Sequence, residues 1–266
     1  MIMRYDADVQ WVYDLRSIFR EGKIASPRGM PVHEILAYQS VVSMENPIIY
    51  NEARKLGYRF MAAEAAWILS GRDDVASITD YSKAIKEFSD NGETFFGAYG
   101  PKIVGQIQYA IQTLMKDLDS RQAVVNIWRE SPPPSKDIPC TLSLQWVIRG
   151  NEIHCIASMR SSDLWLGHPY DIFNFSAASF FILLHLRDKY PGIKLGTLFL
   201  TCGSKHIYER NLEGVSEVLG YVETHGLRIT PRKPAFDEEI YDNPSEFIDY
   251  LWSCADSPRG ALQLTD

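Results

Sequence analysis

The chain carries, at residues 160–176, the stretch RSSDLWLGHPYDIFNFS. It places Arg, Asp, Ser, His and Tyr side chains around a Gly-His-Pro break, between segments that are rich in large apolar residues. Buried polar and charged groups cost free energy unless a partner satisfies them. The stretch therefore predicts a site for a polar ligand. A solvated loop between a strand and a helix is the alternative that composition leaves open.

Hydrophobic patterns on both sides of this stretch predict a mixed α/β protein. Strands are expected at 123–128, 140–148, 152–159 and 196–201, and Gly150-Asn151 is a turn signal between the second and the third. Helices are expected at 4–20, 51–70, 103–118, 172–189 and 244–252, and another is expected to follow Gly203 and run through 208–219.

The length and composition of the chain are those of an ordinary globular protein. Its 266 residues are 45% hydrophobic and 23% charged, which predicts one domain spanning 1–266. The formal net charge is -7. Such a chain lacks the basic surface that grips a phosphate backbone, which argues against polymeric nucleic acid as a partner. A single nucleotide is not excluded, because a few Arg side chains bind one phosphate whatever the net charge.

No apolar run approaches the roughly 20 residues of a membrane helix, and the first residues lack a signal-peptide core. We therefore expect a cytoplasmic protein without membrane contact. The four cysteines have no metal-ligand spacing, so we expect free thiols and no metal site. Cys140 follows a Pro at a strand start, and nothing next to it in sequence lowers its pKa, so the residues alone favour a structural role.

Two further polar residues leave alternatives open. Glu64 stands among apolar residues in the helix predicted at 51–70, where a carboxyl group is either exposed or buried with a raised pKa. Arg28 lies in a Pro- and Gly-containing loop. A loop Arg is usually solvated, but Arg is also the preferred bidentate partner of phosphate.

Several motifs together resemble the thymidylate synthase and pyrimidine hydroxymethylase family. They are R-S-x-D-x-x-L-G-x-P-Y-D-I from residue 160, Pro-Cys at 139–140, G-S-K-H-I-Y at 203–208, R-x-x-x-x-E-x-x-W-x-L-x-G around Glu64, and Tyr-Gly at 99–100. The likeness covers about residues 25–215, and G-S-x-H-x-Y is closer to the phage-type deoxycytidylate hydroxymethylases. It implies an α/β (α+β) three-layer fold, with a large mixed sheet packed against helices and a homodimer formed through the sheet.

The resemblance implies a catalytic set consisting of Cys140, Glu64, Tyr99 and Asp171. Cys140 would be the nucleophile that adds to C6 of the pyrimidine, Glu64 would move protons through water, and Tyr99 would help remove the C5 proton.

It also implies two binding sets. The nucleotide would be bound through Arg28, Arg121, Arg160, Ser161, Asp171, His206 and Tyr208, with Arg28 or Arg121 supplied across the dimer. The co-substrate 5,10-methylenetetrahydrofolate would be bound through Asp163, Phe88, Leu166 and Tyr170.

Asp171 stands where the uracil-specific members of the family carry Asn. Uracil presents an N3-H donor and an O4 acceptor, which an amide matches with one acceptor and one donor. A carboxylate only accepts, so it suits the N4 amino group and a protonated N3 of cytosine. A mismatch of this kind separates substrates by factors of about 10⁴. We therefore predict deoxycytidylate, dCMP, as the substrate.

The product depends on whether water reaches the reaction centre. The C-terminal sequence SPRGALQLTD does not resemble the apolar tail that closes the synthases, and the region of Ile85 and Phe88 lacks their Trp pair. Both differences favour 5-hydroxymethyl-dCMP over the methyl product. The alternatives are a dCMP methyltransferase, a hydroxymethylase of the ribonucleotide CMP, and a non-catalytic nucleotide-binding relative.

Overall fold

A computed structural model describes residues 5–51, 53–227 and 235–257. Its α-helices are α1 Ala7–Glu21, α2 Tyr58–Leu69, α3 Ala76–Thr79, α4 Gly100–Lys116, α5 His168–Leu186, α6 Leu212–His225 and α7 Pro244–Asp256. Its strands are β1 Lys23–Ala25, β2 Val32–Ser43, β3 Ala123–Asn126, β4 Thr141–Arg149, β5 Glu152–Asp163 and β6 Lys194–Tyr208. Within the described part of the chain, every helix is too short or too polar to span a bilayer.

The six strands form one mixed sheet in the order β1-β2-β6-β5-β4-β3. All neighbouring strands are antiparallel except β5 and β6, which are parallel and are connected through α5. The β4–β5 hairpin turns at Gly150, whose φ of +59° is a conformation that glycine adopts readily. The expected mixed α/β class is confirmed.

The hydrophobic core lies between the sheet and the helices. Side chains along β5 alternate between buried and half-buried, because only one face of the strand packs against helices. Helix α5 is buried along most of its length, with Phe173 and Phe180 almost inaccessible. Trp146 of β4 is also fully buried, and its indole N–H donates to Ser179 Oγ of α5 at 2.9 Å. This contact fixes α5 on the sheet.

Three neighbouring strands interrupt their regular pairing at the same level. The registers skip Ala37 of β2, Gly203 of β6 and Arg160 of β5, and Ala37 has a positive φ of 52°. A Cβ atom at position 203 would lie 2.9 Å from the Arg160 carbonyl oxygen, so the close approach requires glycine. Irregularities of this kind redirect side chains and often lie beside active sites. Here they determine the direction of the polar residues that follow Arg160 and Gly203.

The helix expected after Gly203, through 208–219, is present but begins later than predicted. Strand β6 continues to Tyr208, and α6 begins only at Leu212. The physical reason is that β6 lies between β2 and β5, so both of its edges are hydrogen-bonded as far as His206. Pairing on both sides outweighs the local sequence pattern.

Other boundaries moved by a few residues. The second helix begins at Tyr58 rather than at 51, β5 extends beyond 159 to Asp163, and α5 begins at His168 rather than at 172. Asp171 therefore lies in the first turn of a helix and not in a loop. The proline at 169 occupies a first-turn position, where its missing N–H removes no helical hydrogen bond.

Candidate active site

Cys140 lies at the beginning of β4 as a half-buried free thiol. Ser161 Oγ lies 3.6 Å from its Sγ, and Arg160 Nη1 donates to Ser161 Oγ at 3.2 Å. The guanidinium group is held by the carbonyl oxygens of Pro139 at 3.0 Å and Ile138 at 2.9 Å. Burial raises the pKa of the Cys140 thiol, whereas the Arg160 charge and the Ser161 hydroxyl oppose this rise. The Arg160 guanidinium group would therefore interact both with a Cys140 thiolate and with an anionic ligand.

Tyr99 is adjacent to this thiol. Its hydroxyl oxygen accepts from the Thr141 hydroxyl at 2.9 Å and from the Thr141 N–H at 3.3 Å, and its ring stacks on Phe175 with centroids 6.5 Å apart. Burial raises the pKa of Tyr99 well above its usual value, and the charges of Asp171 and Cys140 add to the effect. Tyr99 is therefore a neutral phenol at physiological pH.

Glu64 of α2 faces α5. Its Oε2 accepts from Asn174 Nδ2 at 2.7 Å. Burial raises the pKa of Glu64 to about 7, and the hydrogen bond from Asn174 opposes this rise. Glu64 is half-buried and its pKa is raised, which favours the second of the two alternatives left open by the sequence. A carboxyl group with this pKa can both accept and donate a proton near neutrality.

Asp171 lies three residues before Asn174 on the same side of α5. Burial, followed by the charge of Glu64, raises the pKa of Asp171 to about 8, while Lys205 opposes the rise. The group therefore carries a proton over much of the neutral range. A protonated carboxyl group donates one hydrogen bond and accepts another, in contrast to the acceptor-only carboxylate assumed from the sequence.

Asp163 closes β5 and organises the loop before α5. Its Oδ1 accepts from the N–H groups of Trp165 at 2.9 Å and Leu166 at 3.0 Å. Leu166, whose N–H makes the second of these bonds, exposes 42% of its apolar side chain. Tyr170 is half-buried, and its hydroxyl accepts from the Gly57 N–H at 3.2 Å.

His206 of β6 is directly opposite Asp163 of β5 in the sheet register. Its ring is buried and meets Tyr208 edge-on with centroids 5.2 Å apart. Burial lowers the pKa of His206, and the charge of Asp163 opposes the effect. One buried atom of the site, Asn174 Oδ1, has no hydrogen-bond partner among the described residues. Such an orphaned atom is expected where a polar ligand binds.

A known protein family and an individual phage protein are similar to the chain that forms this site. A family model described as thymidylate synthase matches residues 9–247, which is most of the chain. The chain belongs to the thymidylate synthase family. It is also similar to a protein of Bacillus phage SP01 named deoxyuridylate hydroxymethyltransferase, with 28% identity over 216 residues. That match covers 73% of this chain and 55% of the relative, so the chain spans about half the length of the relative.

The structure brings most of the residues suggested by the family resemblance to one region between the sheet and α2, α4 and α5. Asp171 interacts electrostatically with Cys140, Tyr99, Glu64 and Asp163. Asp163 in turn interacts with His206.

Arg28, Arg121 and Phe88 take no part in these contacts. Arg121 is exposed and precedes β3, whose Ala123 pairs with Trp146, so it lies about 20 Å along β4 from Cys140. Arg28 is exposed on a turn before β2, with a positive φ of 54°. Phe88 is 56% exposed at the end of the short 3-10 segment Lys83–Phe88. Their binding roles stay predictions.

Sequence reasoning missed Asn174, Lys205, His168 and Asp14. Asn174 is next to Glu64 only because α2 and α5 pack together, and no local pattern signals that contact. The other three form a buried cluster from three separate elements. The sequence offered one hint of this cluster, the placement of Lys205 between Ser204 and His206. A lysine in such a position is ordinarily exposed, so the hint did not predict burial.

The remaining cysteines behave as expected. Cys155, Cys202 and Cys254 are free and buried, so each is a small core residue. The prediction about the tail 257–266 depends on residues beyond 257, which lie outside the described part of the chain.

Proposed function

We propose that this chain transfers a one-carbon unit from 5,10-methylenetetrahydrofolate to C5 of dCMP and releases 5-hydroxymethyl-dCMP. The observation that carries the proposal is the free Cys140 thiol beside Arg160 and Ser161, in electrostatic contact with Asp171. A non-catalytic nucleotide-binding relative would have no use for that nucleophile. Membership of the thymidylate synthase family and the likeness to a hydroxymethyltransferase support the same reaction.

The first step would be addition of the Cys140 thiolate to C6 of the pyrimidine. C5 alone is too weak a nucleophile, and the new C6–S bond places the electron pair of the former C5–C6 double bond on C5. Arg160 would stabilise the thiolate and bind the phosphate, and Ser161 would donate to the same groups. Because burial raises the pKa of the Cys140 thiol, its ionisation depends on the positive charge of Arg160 beside it.

C5 would then attack the one-carbon unit and lose its proton. Tyr99 has a pKa too high for it to act as a strong acid, and a neutral phenol is a poor base. We therefore propose that Tyr99 orients the water molecule that takes the proton from C5. Glu64, with a pKa of about 7, then accepts the proton from this water.

Departure of tetrahydrofolate leaves an exocyclic methylene group on the nucleotide. Addition of water to that carbon returns an electron pair to the ring and expels the Cys140 thiolate, which gives the hydroxymethyl product. Glu64 and the free Oδ1 of Asn174 would hold this water. The name of the phage relative supports hydroxymethyl over methyl transfer. Appearance of folate-derived deuterium in a product methyl group would overturn this choice.

Asp171 would recognise the base. As a protonated acid it donates to N3 of cytosine and accepts from the N4 amino group, and because N3 is basic the pair shares one proton strongly. The same acid can donate to O4 of uracil and accept from N3-H. Together with the deoxyuridylate named for the phage relative, this makes dUMP the second candidate substrate.

The folate would enter beside α5. Exposed Leu166 and half-buried Tyr170 offer apolar surface to a flat ring system, and Asp163 offers a carboxylate to its polar edge. Oδ1 of Asp163 is already shared by two backbone donors, so Oδ2 would make that contact. When bound, the folate supplies the one-carbon unit at the oxidation level of formaldehyde.

A second copy of the chain would complete the phosphate site. The face of the sheet opposite the helices carries Leu36, which is 67% exposed and follows Ile35, the partner of buried Lys205 in the sheet register. An exposed large apolar side chain on this face favours association. We propose a homodimer through this sheet, in which Arg121 of one chain reaches the phosphate bound near Arg160 of the other.

The central experiment is release of tritium from 5-tritiated dCMP, dUMP and CMP with methylenetetrahydrofolate, combined with mass spectrometry of the products. We expect release with dCMP and a product heavier by one CH₂O unit. Faster turnover of dUMP would replace the proposed substrate by the second candidate. Absence of release with all three nucleotides would overturn the proposed reaction.

Replacement of Asn174 tests the proton-transfer role of Glu64. Asn174→Ala removes the donor that stabilises the charged carboxylate, so the pKa of Glu64 should rise further. Since the deprotonated form accepts the C5 proton, the acid limb of kcat/KM should move up by about one pH unit. Asn126→Ala, at an exposed position of β3, is the control and should leave the profile in place.

A further inference from the structure

A buried cluster of charged side chains lies between α1, β6 and α5, away from Cys140. Lys205 of β6, Asp14 of α1 and His168 of α5 are each 0% exposed. Lys and Asp are almost never fully buried unless they are paired, because removing their charges from water is costly. Apolar residues of similar volume would fill the same space. The cluster therefore calls for a role beyond packing.

Its hydrogen bonds define a charge arrangement. Lys205 Nζ lies 2.7 Å from His168 Nδ1 and 3.4 Å from Ser162 Oγ. An ammonium group only donates, and Nζ is closer to Nδ1 than to Nε2, which is 3.3 Å away, so we assign Nδ1 as the acceptor and place the proton of the neutral ring on Nε2, 3.8 Å from Asp14 Oδ2. Burial and the Lys205 charge lower the pKa of His168 well below its usual value, so the ring is neutral. The neutral His168 ring therefore lies between the Lys205 cation and the Asp14 carboxylate.

Asp14 is the negative end of this arrangement. It accepts from Ser40 Oγ at 2.5 Å, Gln10 Nε2 at 2.6 Å and Tyr38 OH at 3.0 Å. Burial raises the pKa of Asp14, and Lys205 together with these donors opposes the rise. Three donors on one carboxyl group satisfy the charged form, which is the state in which it compensates Lys205.

The cluster joins two parts of the nucleotide site. His168 is the first residue of α5, and Asp171 follows three residues later in the same turn, on the same side of the helix. Lys205 lies directly before His206 in β6. The Lys205–His168 hydrogen bond thus fastens the turn that carries Asp171 to the strand that carries His206, both of them proposed nucleotide-binding residues. Lys205 also attracts the charges of Asp171 and Asp163.

We propose that Lys205, held in place by His168 and Asp14, is a positioning residue that fixes the first turn of α5 against β6 and provides the buried positive charge facing Asp171. The inference rests on the proposed function in that Asp171 is taken to recognise the base. The titratable groups that face Lys205 are Asp14 of α1, Asp163 of β5, His168 and Asp171 of α5, and Cys202 and His206 of β6. From α2, Glu64 faces Asp171.

The first test is Lys205→Met, which keeps the length of the side chain and removes its charge. Asp171 then loses the cation that favours its carboxylate, so its titration should move to higher pH. This is measured without substrate, from the carboxyl ¹³C resonances of Asp-labelled protein, with Asp171→Asn identifying the signal. Because the turn is no longer fastened, kcat/KM for dCMP should also fall by more than tenfold. The unfolding temperature should fall, since Asp14 is left unpaired.

The second test separates positioning from stability. In the double variant Asp14→Leu/Lys205→Met no unpaired charge is left in the core, and apolar replacement of a buried ion pair is often neutral or stabilising. We expect the unfolding temperature to recover relative to the single variant. The upward shift of the Asp171 titration and the low kcat/KM should persist. Leu200→Ala, which opens a cavity in the same strand, should lower the unfolding temperature without moving the titration.

The outcomes distinguish this inference from the proposed substrate. If the wild-type protein turns over dUMP instead of dCMP, the substrate proposal fails, and the titration of Asp171 still tests the role of Lys205. If Asp171 titrates at the same pH in the wild-type protein and the double variant, or if the double variant regains wild-type kcat/KM, Lys205 is only a core residue and the inference is wrong.

Discussion

Cys140→Ser should abolish turnover of dCMP, with a loss of kcat on the order of 10⁴-fold or more, because a serine hydroxyl is far less ionised and less nucleophilic than a thiol. The fold should be unaffected, since Cys140 is only half-buried and the replacement is nearly isosteric. Tritium release from 5-tritiated dCMP measures the loss. Cys254→Ala is the matched control, because that thiol is buried in α7 and should affect stability alone.

A trapping experiment makes the same prediction more specific. A fluorine atom at C5 cannot be removed as a cation in the way that the C5 hydrogen is removed as a proton. The reaction of 5-fluoro-dCMP with methylenetetrahydrofolate should therefore stop at the covalent intermediate. Mass spectrometry of the wild-type protein should then show the added mass of both molecules on the peptide that contains Cys140. The serine variant should show none. Retained turnover in Cys140→Ser would mean that the reaction does not pass through a covalent intermediate at this residue.

Asp171→Asn should reverse the base preference. The amide always presents one donor and one acceptor, which match O4 and N3-H of uracil, and its protons do not depend on pH. The ratio of kcat/KM for dCMP over dUMP should fall by on the order of tenfold, because the amide cannot share a proton with the basic N3 of cytosine as the protonated acid does. Competition between the two nucleotides in one reaction measures the ratio directly.

The pH dependence adds a second measurement to this variant. In the wild-type protein, Asp171 loses its proton as the pH rises through about 8, so base recognition should weaken on the alkaline side. The amide of the Asp171→Asn variant does not titrate in this range, so the alkaline limb of that variant should flatten. Asp171→Ala is the control, since it removes both hydrogen bonds and should reduce use of both nucleotides. An unchanged dCMP to dUMP ratio in Asp171→Asn would remove the argument for substrate identity.

Local sequence was sufficient for those elements whose pattern and packing agree. The strand near residue 123 was predicted from its apolar run, and the hairpin of β4 and β5 from the turn signal at Gly150-Asn151. The buried helix α5 was predicted because its apolar run exceeds strand length. The continuation of β6 to Tyr208 was not, because it depends on two neighbouring strands that are distant in the chain. Only the assembled sheet supplies those hydrogen bonds.

The same division applies to the site. The motifs around Cys140, Glu64 and Arg160 were sufficient to predict, through the family resemblance, which residues are candidates for the nucleophile, the carboxyl group and the cation. Tertiary structure decided their protonation. Burial against α2 and α5 raises the pKa of Glu64 to about 7 and that of Asp171 to about 8, and no neighbour in sequence produces these shifts. The cluster of Lys205, His168 and Asp14 likewise exists only where three elements meet, because desolvation and pairing are properties of the packed interior.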